Sequence, residues 1–160
     1  MIFDRISLYF YLLILALWVG GAFVLAFVVT PKTFQTVPSQ SRAGTLVGTY
    51  LKTFDIWKIF FILGLVTFSL VRTSEGLLPA PSPVEVAAIL FLSCSWMGQY
   101  FFLNPRMEEL RQAIGYFDNA PADSPLRARF ALLHRLAIFL TLGDLAAGLF
   151  LLFYVVFRLN

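Results

Sequence analysis

Asp144 lies within an apolar run, Ala137 to Phe157, that is long enough to cross a bilayer. A carboxylate at that depth is costly, and such groups face the bundle interior, pair with a cation or line a pathway. Ala137, Thr141, Asp144 and Gly148 recur at helical spacing, so one small and polar stripe should face the neighbouring helices. The chemistry that suits it is the handling of a proton or a small cation. Its bland counterpart is a neutral, hydrogen-bonded structural carboxyl. His134 stands within roughly 80° of Asp144 on a helical wheel, where the same helix should meet the cytoplasmic interface. It is the one histidine of the chain, and haem iron can be held by a single axial histidine, which makes haem the cofactor to consider. A structural zinc site wants four nitrogen or sulfur ligands, which His134 and Cys94 cannot supply, so no metal site is expected.

Asp55 and Lys58, at the start of the second apolar run, and Gln99 and Asn104, near the end of the third, should reach the same half of the bundle. With His134 and Asp144 they outline a polar vestibule facing the cytoplasm. Each also has a simpler reading. Asp55 and Lys58 flank a helix end, Lys58 snorkels to the interface, and Gln99 bonds across helices as buried amides do. Trp18 sits near the centre of the first run, away from the interfaces where tryptophan concentrates. Beside it, Ala16 and Gly20 form a small-xxx-small pair suited to close helix approach, and Gly21 offers a kink or room for a ligand. A Gly-rich phosphate loop, a Ser/His/Asp arrangement and paired catalytic carboxylates are absent from the sequence. The expectation is therefore a protein that is not an enzyme.

These residues need a membrane scaffold. Hydrophobic residues make up 59% of the 160-residue chain and charged residues 13%, against a soluble norm of about 25% charged; the mean hydropathy is +0.82. A span needs about 20 apolar residues, which predicts one domain over residues 1–160 with spans at about 6–30, 54–71, 84–103 and 131–157. The fold class is all-α: a polytopic membrane protein built as an antiparallel four-transmembrane-helix bundle. Pro31 should close the first span, since the residue before a proline avoids the helical region. Ser74, Gly76, Pro79, Pro81 and Pro83 should form a loop. Asn104-Pro105 should interrupt the third span, and Met107, Leu110, Ile114 and Phe117 then predict a short amphipathic helix at the interface. Asn119 to Asp123 breaks that helix, and Ser124-Pro125 opens the last one. Met1 to Arg5 lacks a basic n-region and a cleavage site, which reads as a retained first helix. The sequence is expected to hold no internal repeat and no low-complexity tract.

Lys32, Arg42, Lys52, Arg106, Arg111, Arg127 and Arg129 fall in the loops after spans one and three, with Lys58 and Arg135 just inside the adjoining helices. The opposite side has Arg5, Arg72 and Arg158. The positive-inside rule then predicts a bacterial inner-membrane protein with both termini outside the cytoplasm. Membrane lipid is a sufficient partner for the basic loops, a homodimer or a membrane complex is an open alternative, and nucleic acid is not needed to explain the net charge of +3.

Trp18-Val-Gly-Gly-Ala-Phe23, Pro31-Lys-Thr-Phe34, Ala43-Gly44, Asn104-Pro-Arg106 and Phe130-Ala-Leu-Leu-His-Arg135, in that order, resemble the DUF4149 family, whose eukaryotic relatives are the transmembrane protein 205 group. The resemblance implies a four-helix integral membrane protein without an established activity. It singles out Trp18, Gly21, Pro31, Phe34, Pro105, Arg106, Phe130 and His134. The first helix is more distantly similar to copper-resistance D proteins and to membrane-embedded protoporphyrinogen oxidases. The second group places a first-helix histidine near haem, where this chain has Tyr9 and Tyr11. Three readings follow: a polar vestibule that binds or passes a small solute, cation or lipid headgroup; a haem- or tetrapyrrole-binding oxidase; and a structural or assembly subunit.

Overall fold

Helices are the only regular elements among residues 2–75, 80–119, 121 and 123–159, which the computed structural model describes. Helix α1 (Ile2–Phe23) passes through a π-helical segment (Val24–Val29) into α2 (Thr30–Thr36), and α3 (Gln40–Glu75) returns. Helix α4 (Pro83–Met97) passes through a second π-helical segment (Gly98–Leu103) into α5 (Asn104–Ile114), and α6 (Pro125–Leu159) closes the bundle. Four continuous stretches, Ile6–Thr36, Gln40–Arg72, Pro83–Ile114 and Pro125–Arg158, are long and apolar enough to cross a membrane. The chain is a multi-pass, all-α membrane protein. Helix α1 packs on α3 and α6, and α4 packs on the same two, so the four spans form a closed ring.

The prolines do not end the spans. A proline inside an α-helix lacks the N–H for its own bond and collides with the carbonyl four residues back. Here the turn before each proline is widened to i→i+5 bonding, with Thr30 N–H on Leu25 O and Asn104 N–H on Gln99 O. The Thr30 hydroxyl adds a second bond to Leu25 O at 2.7 Å. The amphipathic segment after Asn104 is helical, as its spacing predicts, and continues the third span. The second helix starts at Gln40, well before the expected boundary, and runs through Ser74. Gly76 and Pro79 of the expected loop lie outside the described residues, as do Ala120 and Ala122 of the expected break. Helix α4 opens on a capping box: Ser82 Oγ accepts from Glu85 N–H at 3.1 Å, and the Glu85 carboxylate accepts from Ser82 N–H at 2.6 Å.

An internal repeat, invisible in residue identity, emerges from the geometry. Both π-helical segments have six residues, and a polar residue, a proline and a cation follow each: Thr30-Pro31-Lys32 and Asn104-Pro105-Arg106. The shift that carries Val24 onto Gly98 also carries the buried Tyr11, Leu15 and Trp18 onto the buried Glu85, Ile89 and Leu92. On the return helices, the shift that carries Lys58 onto Asp144 carries Leu65 and Ser69 onto the buried Leu151 and Val155, and Arg72 onto Arg158. The two hairpins share one plan, and their common interface is the core of the bundle.

That interface is layered. Polar groups gather at Lys58, Gln99 and Asp144, and again at Arg72, Glu85 and Arg158. Each member of the first set is about 21 Å along its helix from its counterpart in the second. Leu15, Leu65, Leu92 and Leu151, all 0% exposed, fill the space between. A dry core therefore separates an acidic layer, two aspartates around one lysine, from an arginine layer, two arginines around one glutamate.

Candidate functional site: a buried acidic layer

Lys58 is the centre of the acidic layer. Its ammonium lies 3.1 Å from Asp55 Oδ1 and 3.5 Å from Asp144 Oδ2, and the three side chains are 4%, 7% and 1% exposed. The expected snorkelling of Lys58 does not occur, because α3 begins at Gln40 and places Lys58 deep in the helix with its stem facing inward. Asp55 is likewise inside the helix and not at its end. Gln99 donates from Nε2 to Asp144 Oδ2 at 3.1 Å and to Ser95 Oγ at 3.1 Å. Thr141 donates to Gln99 Oε1 at 3.4 Å and, more closely, to Ala137 O at 2.9 Å. Asn104 donates to Asp55 Oδ2 at 2.8 Å, and Trp96 Nε1 donates to the Asp55 carbonyl at 2.8 Å.

The second π-helical segment makes this possible. In a regular α-helix, residues five apart point about 140° away from each other. The i→i+5 turn from Gln99 to Asn104 brings both onto one face, so one helix holds Asp144 with Gln99 and Asp55 with Asn104. Gly21 contributes by its size: a Cβ there would come within 2.5 Å of Phe54 Cε2. Its absence lets the Phe54 ring settle against α1, with the Lys58 ammonium 5.6 Å from that ring and 5.9 Å from the ring of Trp18.

The layer carries a formal charge of −1, and two of its buried atoms have no hydrogen-bond partner: Asp144 Oδ1 and Trp18 Nε1. A buried polar group without a partner forfeits about 1–3 kcal/mol, more when charged. Natural interiors rarely leave one so, and each exception has a reason, such as stored strain, a chemical role or a bound water or ion.

Of the residues singled out as site candidates, the structure gathers Asp144, Gln99, Asn104, Thr141 and Trp18, with Gly21 beside them. His134 and Arg106 are not among them. His134 is exposed and stacks on Phe130, with ring centroids 6.0 Å apart, and Arg106 is exposed. His134 precedes Asp144 by almost three turns, so nearness on a wheel does not become nearness in space. Two surface grooves stand out. One is lined by Tyr9, Leu12, Leu13, Ala16, Leu152 and Val156, the other by Ala113, Tyr116, Asn119, Ser124 and Leu126 among others, and His134 borders neither. An exposed imidazole stacked on a phenyl ring does not fit a buried axial haem ligand. Ala16 and Gly20 do not serve packing within the chain, since both are exposed and a Cβ on Gly20 would meet nothing within 4 Å.

Sequence reasoning missed the arginine layer. Glu85, 0% exposed, accepts from Arg72 Nη1 at 3.1 Å and from Arg158 Nη1 at 2.7 Å, and Arg158 Nη2 also reaches Ala80 O at 3.0 Å. The signal was Ser82-Pro83-Val84-Glu85, a capping-box pattern. A clamp at the basic end was missed too. The Asp118 carboxylate accepts from Ser39 Oγ at 2.6 Å and from Gln40 N–H at 2.9 Å, capping α3 from another loop. Phe117 N–H donates to Ser41 Oγ at 2.7 Å. The Ser39 hydroxyl foremost, helped by the backbone N–H groups of Gln40 and Ser41, holds Asp118 below the ordinary 3.8.

Four spans, a two-hairpin plan and a charge cluster sealed between the hairpins define a class: an integral four-helix membrane protein with an intramembrane ionisable site. The chain belongs to the family described as Domain of unknown function (DUF4149), whose model matches residues 13–115. The match takes in Trp18, Asp55, Lys58, Gln99 and Asn104 and stops before Asp144. No curated protein and no solved structure matches the chain.

Proposed function

We propose that this protein sits in a bacterial inner membrane with both termini outside the cytoplasm, and that the acidic layer binds or passes a small cationic solute taken from the cytoplasmic side. The observation that carries this reading is a sealed cluster of formal charge −1 whose Asp144 Oδ1 has no partner. With a hydrocarbon core about 30 Å thick and the arginine layer at its outer edge, the acidic layer lies about 9 Å from the cytoplasmic edge. The half-buried Asn104 leads from it toward the basic end. Placement at the interface of two repeats supports the reading, since repeat interfaces near mid-membrane are where transporters bind substrates and coupling ions. The dry leucine core beyond it means that passage needs the hairpins to shift.

The test is cation-gradient flux in proteoliposomes. Asp144→Asn should lower flux at least about tenfold, the equivalent of 1.4 kcal/mol, while the protein unfolds at nearly the wild-type temperature. Unchanged flux with a lowered unfolding temperature would make Asp144 a structural carboxyl.

A second reading, assembly with another copy, draws on the exposed Ala16 and Gly20 beside the groove lined by Leu12, Leu13, Leu152 and Val156. Small residues at that spacing let helices approach closely. Gly20→Ile should then convert a dimer into a monomer, read by cross-linking in native membranes; a monomeric wild type removes this reading.

A further inference from the structure

Every side-chain oxygen of the acidic layer but one has a polar neighbour within hydrogen-bond distance. Asp55 Oδ1 faces Lys58 and Oδ2 faces Asn104. Asp144 Oδ2 faces Lys58 and Gln99, Gln99 Oε1 takes the Thr141 hydroxyl, and Ser95 Oγ takes a Gln99 N–H. Wholly without a partner are Asp144 Oδ1, in a residue 1% exposed, and Trp18 Nε1, in a residue 0% exposed. Resting on the function proposed above, we infer that the cation bound by this layer is a proton, held on Asp144 Oδ1 and linked to Trp18 through water.

The donor inventory decides against a metal ion. A hard cation needs about six oxygens, and one is free. It would also stand beside the Lys58 ammonium, which already touches the same carboxylate. A proton needs a single lone pair and brings the formal charge of the layer from −1 to zero. The new O–H and the Trp18 N–H are then both donors, and one water molecule with two lone pairs accepts from both. When the proton leaves, the same water turns to donate to Oδ1 and still accepts from Trp18. Both protonation states are thus satisfied by one rotation of a water molecule, without breaking the bonds from Gln99 and Lys58. The charged groups facing Asp144 are Lys58 and Asp55 from α3. Helix α1 brings Trp18, and α4 with its π-helical extension brings Ser95 and Gln99, all uncharged.

The experiment is infrared difference spectroscopy of the purified protein in phosphatidylethanolamine–phosphatidylglycerol vesicles, stepped between about pH 4 and about pH 9, with thermal unfolding in sodium, potassium and choline chloride on the same samples. The expected result is a protonated-carboxyl C=O band that appears on acidification, disappears in Asp144→Asn and shifts in Trp18→Phe, with unfolding temperatures indifferent to the cation. A band missing at every pH, with unfolding raised by sodium or potassium, would overturn the proton and leave the cation site standing. A missing band with no cation response would overturn both. Should Asp144→Asn fail to fold, a wild-type band that Trp18→Phe leaves unmoved would itself exclude the water link.

Discussion

The acidic and arginine layers are built from equivalent positions of the two hairpins, yet they are finished differently. Glu85 in the arginine layer takes Arg72, Arg158 and the Ser82 N–H, and Arg158 reaches the surface with its side chain 29% exposed. Its charge is +1, carried by groups that do not deprotonate, and it can draw on water at the membrane edge. The acidic layer has charge −1, lies deeper, and leaves one carboxylate oxygen unpaired. The first arrangement staples the hairpins together. The second stores a charge imbalance that a proton can remove, and that imbalance is what the proposed function draws on.

Substitutions should separate the two layers. The largest effect is expected from Glu85→Ala, which strands two arginines and also removes the α4 capping box. Breaking a buried pair costs about 3–5 kcal/mol, read by detergent unfolding at neutral pH, and since arginine stays charged acidification gives the variant no way to relieve the two stranded cations. Lys58→Met should cost less, at the lower end of that range, about 3 kcal/mol, and its loss should shrink on acidification because the stranded carboxylates can take up protons. A pH-independent loss would erase the distinction between the layers. Pro105→Ala removes the reason for the π-helical turn that places Gln99 and Asn104 on one face. Its own effect should be about 1 kcal/mol, but Gln99→Leu should become less damaging in that background, a coupling a double-mutant cycle reads directly. The smallest effect is at Asp118. Its folded-state value lies below the ordinary 3.8, so its clamp contributes fully above that value and is lost as pH falls through the lowered one. Amide exchange at residues 39–42 and 115–119 should therefore stay slow at about pH 5 and quicken only in stronger acid, and Asp118→Asn should abolish that step.

Much of the scaffold could be read from sequence, because apolar runs of span length leave few alternatives. Asp144, Gln99 and Asn104 also stood out, since polar side chains are conspicuous there. The repeat did not, because its equivalences pair unlike residues: Lys58 with Asp144, Trp18 with Leu92, Tyr11 with Glu85. Lys58 was misplaced for a physical reason. A lysine near the expected edge of a span has a long stem that ordinarily reaches water, and only the early start of α3 turns it inward. Pro31 and Pro105 misled in the same way, because rules for α-helices do not anticipate a turn that widens to accept the ring. Asp118 was missed because its partners come from a distant segment that no local pattern joins, and Glu85 because its capping-box pattern says nothing of Arg72 and Arg158.

The difference that matters most is that the Asp144 carboxyl keeps a free oxygen whereas both Glu85 oxygens are taken. A membrane-permeant carbodiimide, which modifies protonated carboxyls in apolar surroundings, followed by peptide mapping, tests both in one sample. Modification is expected at Asp144, rising as pH falls, with Glu85 untouched; modification of Glu85 in preference to Asp144, or of neither, would overturn the contrast between the two layers.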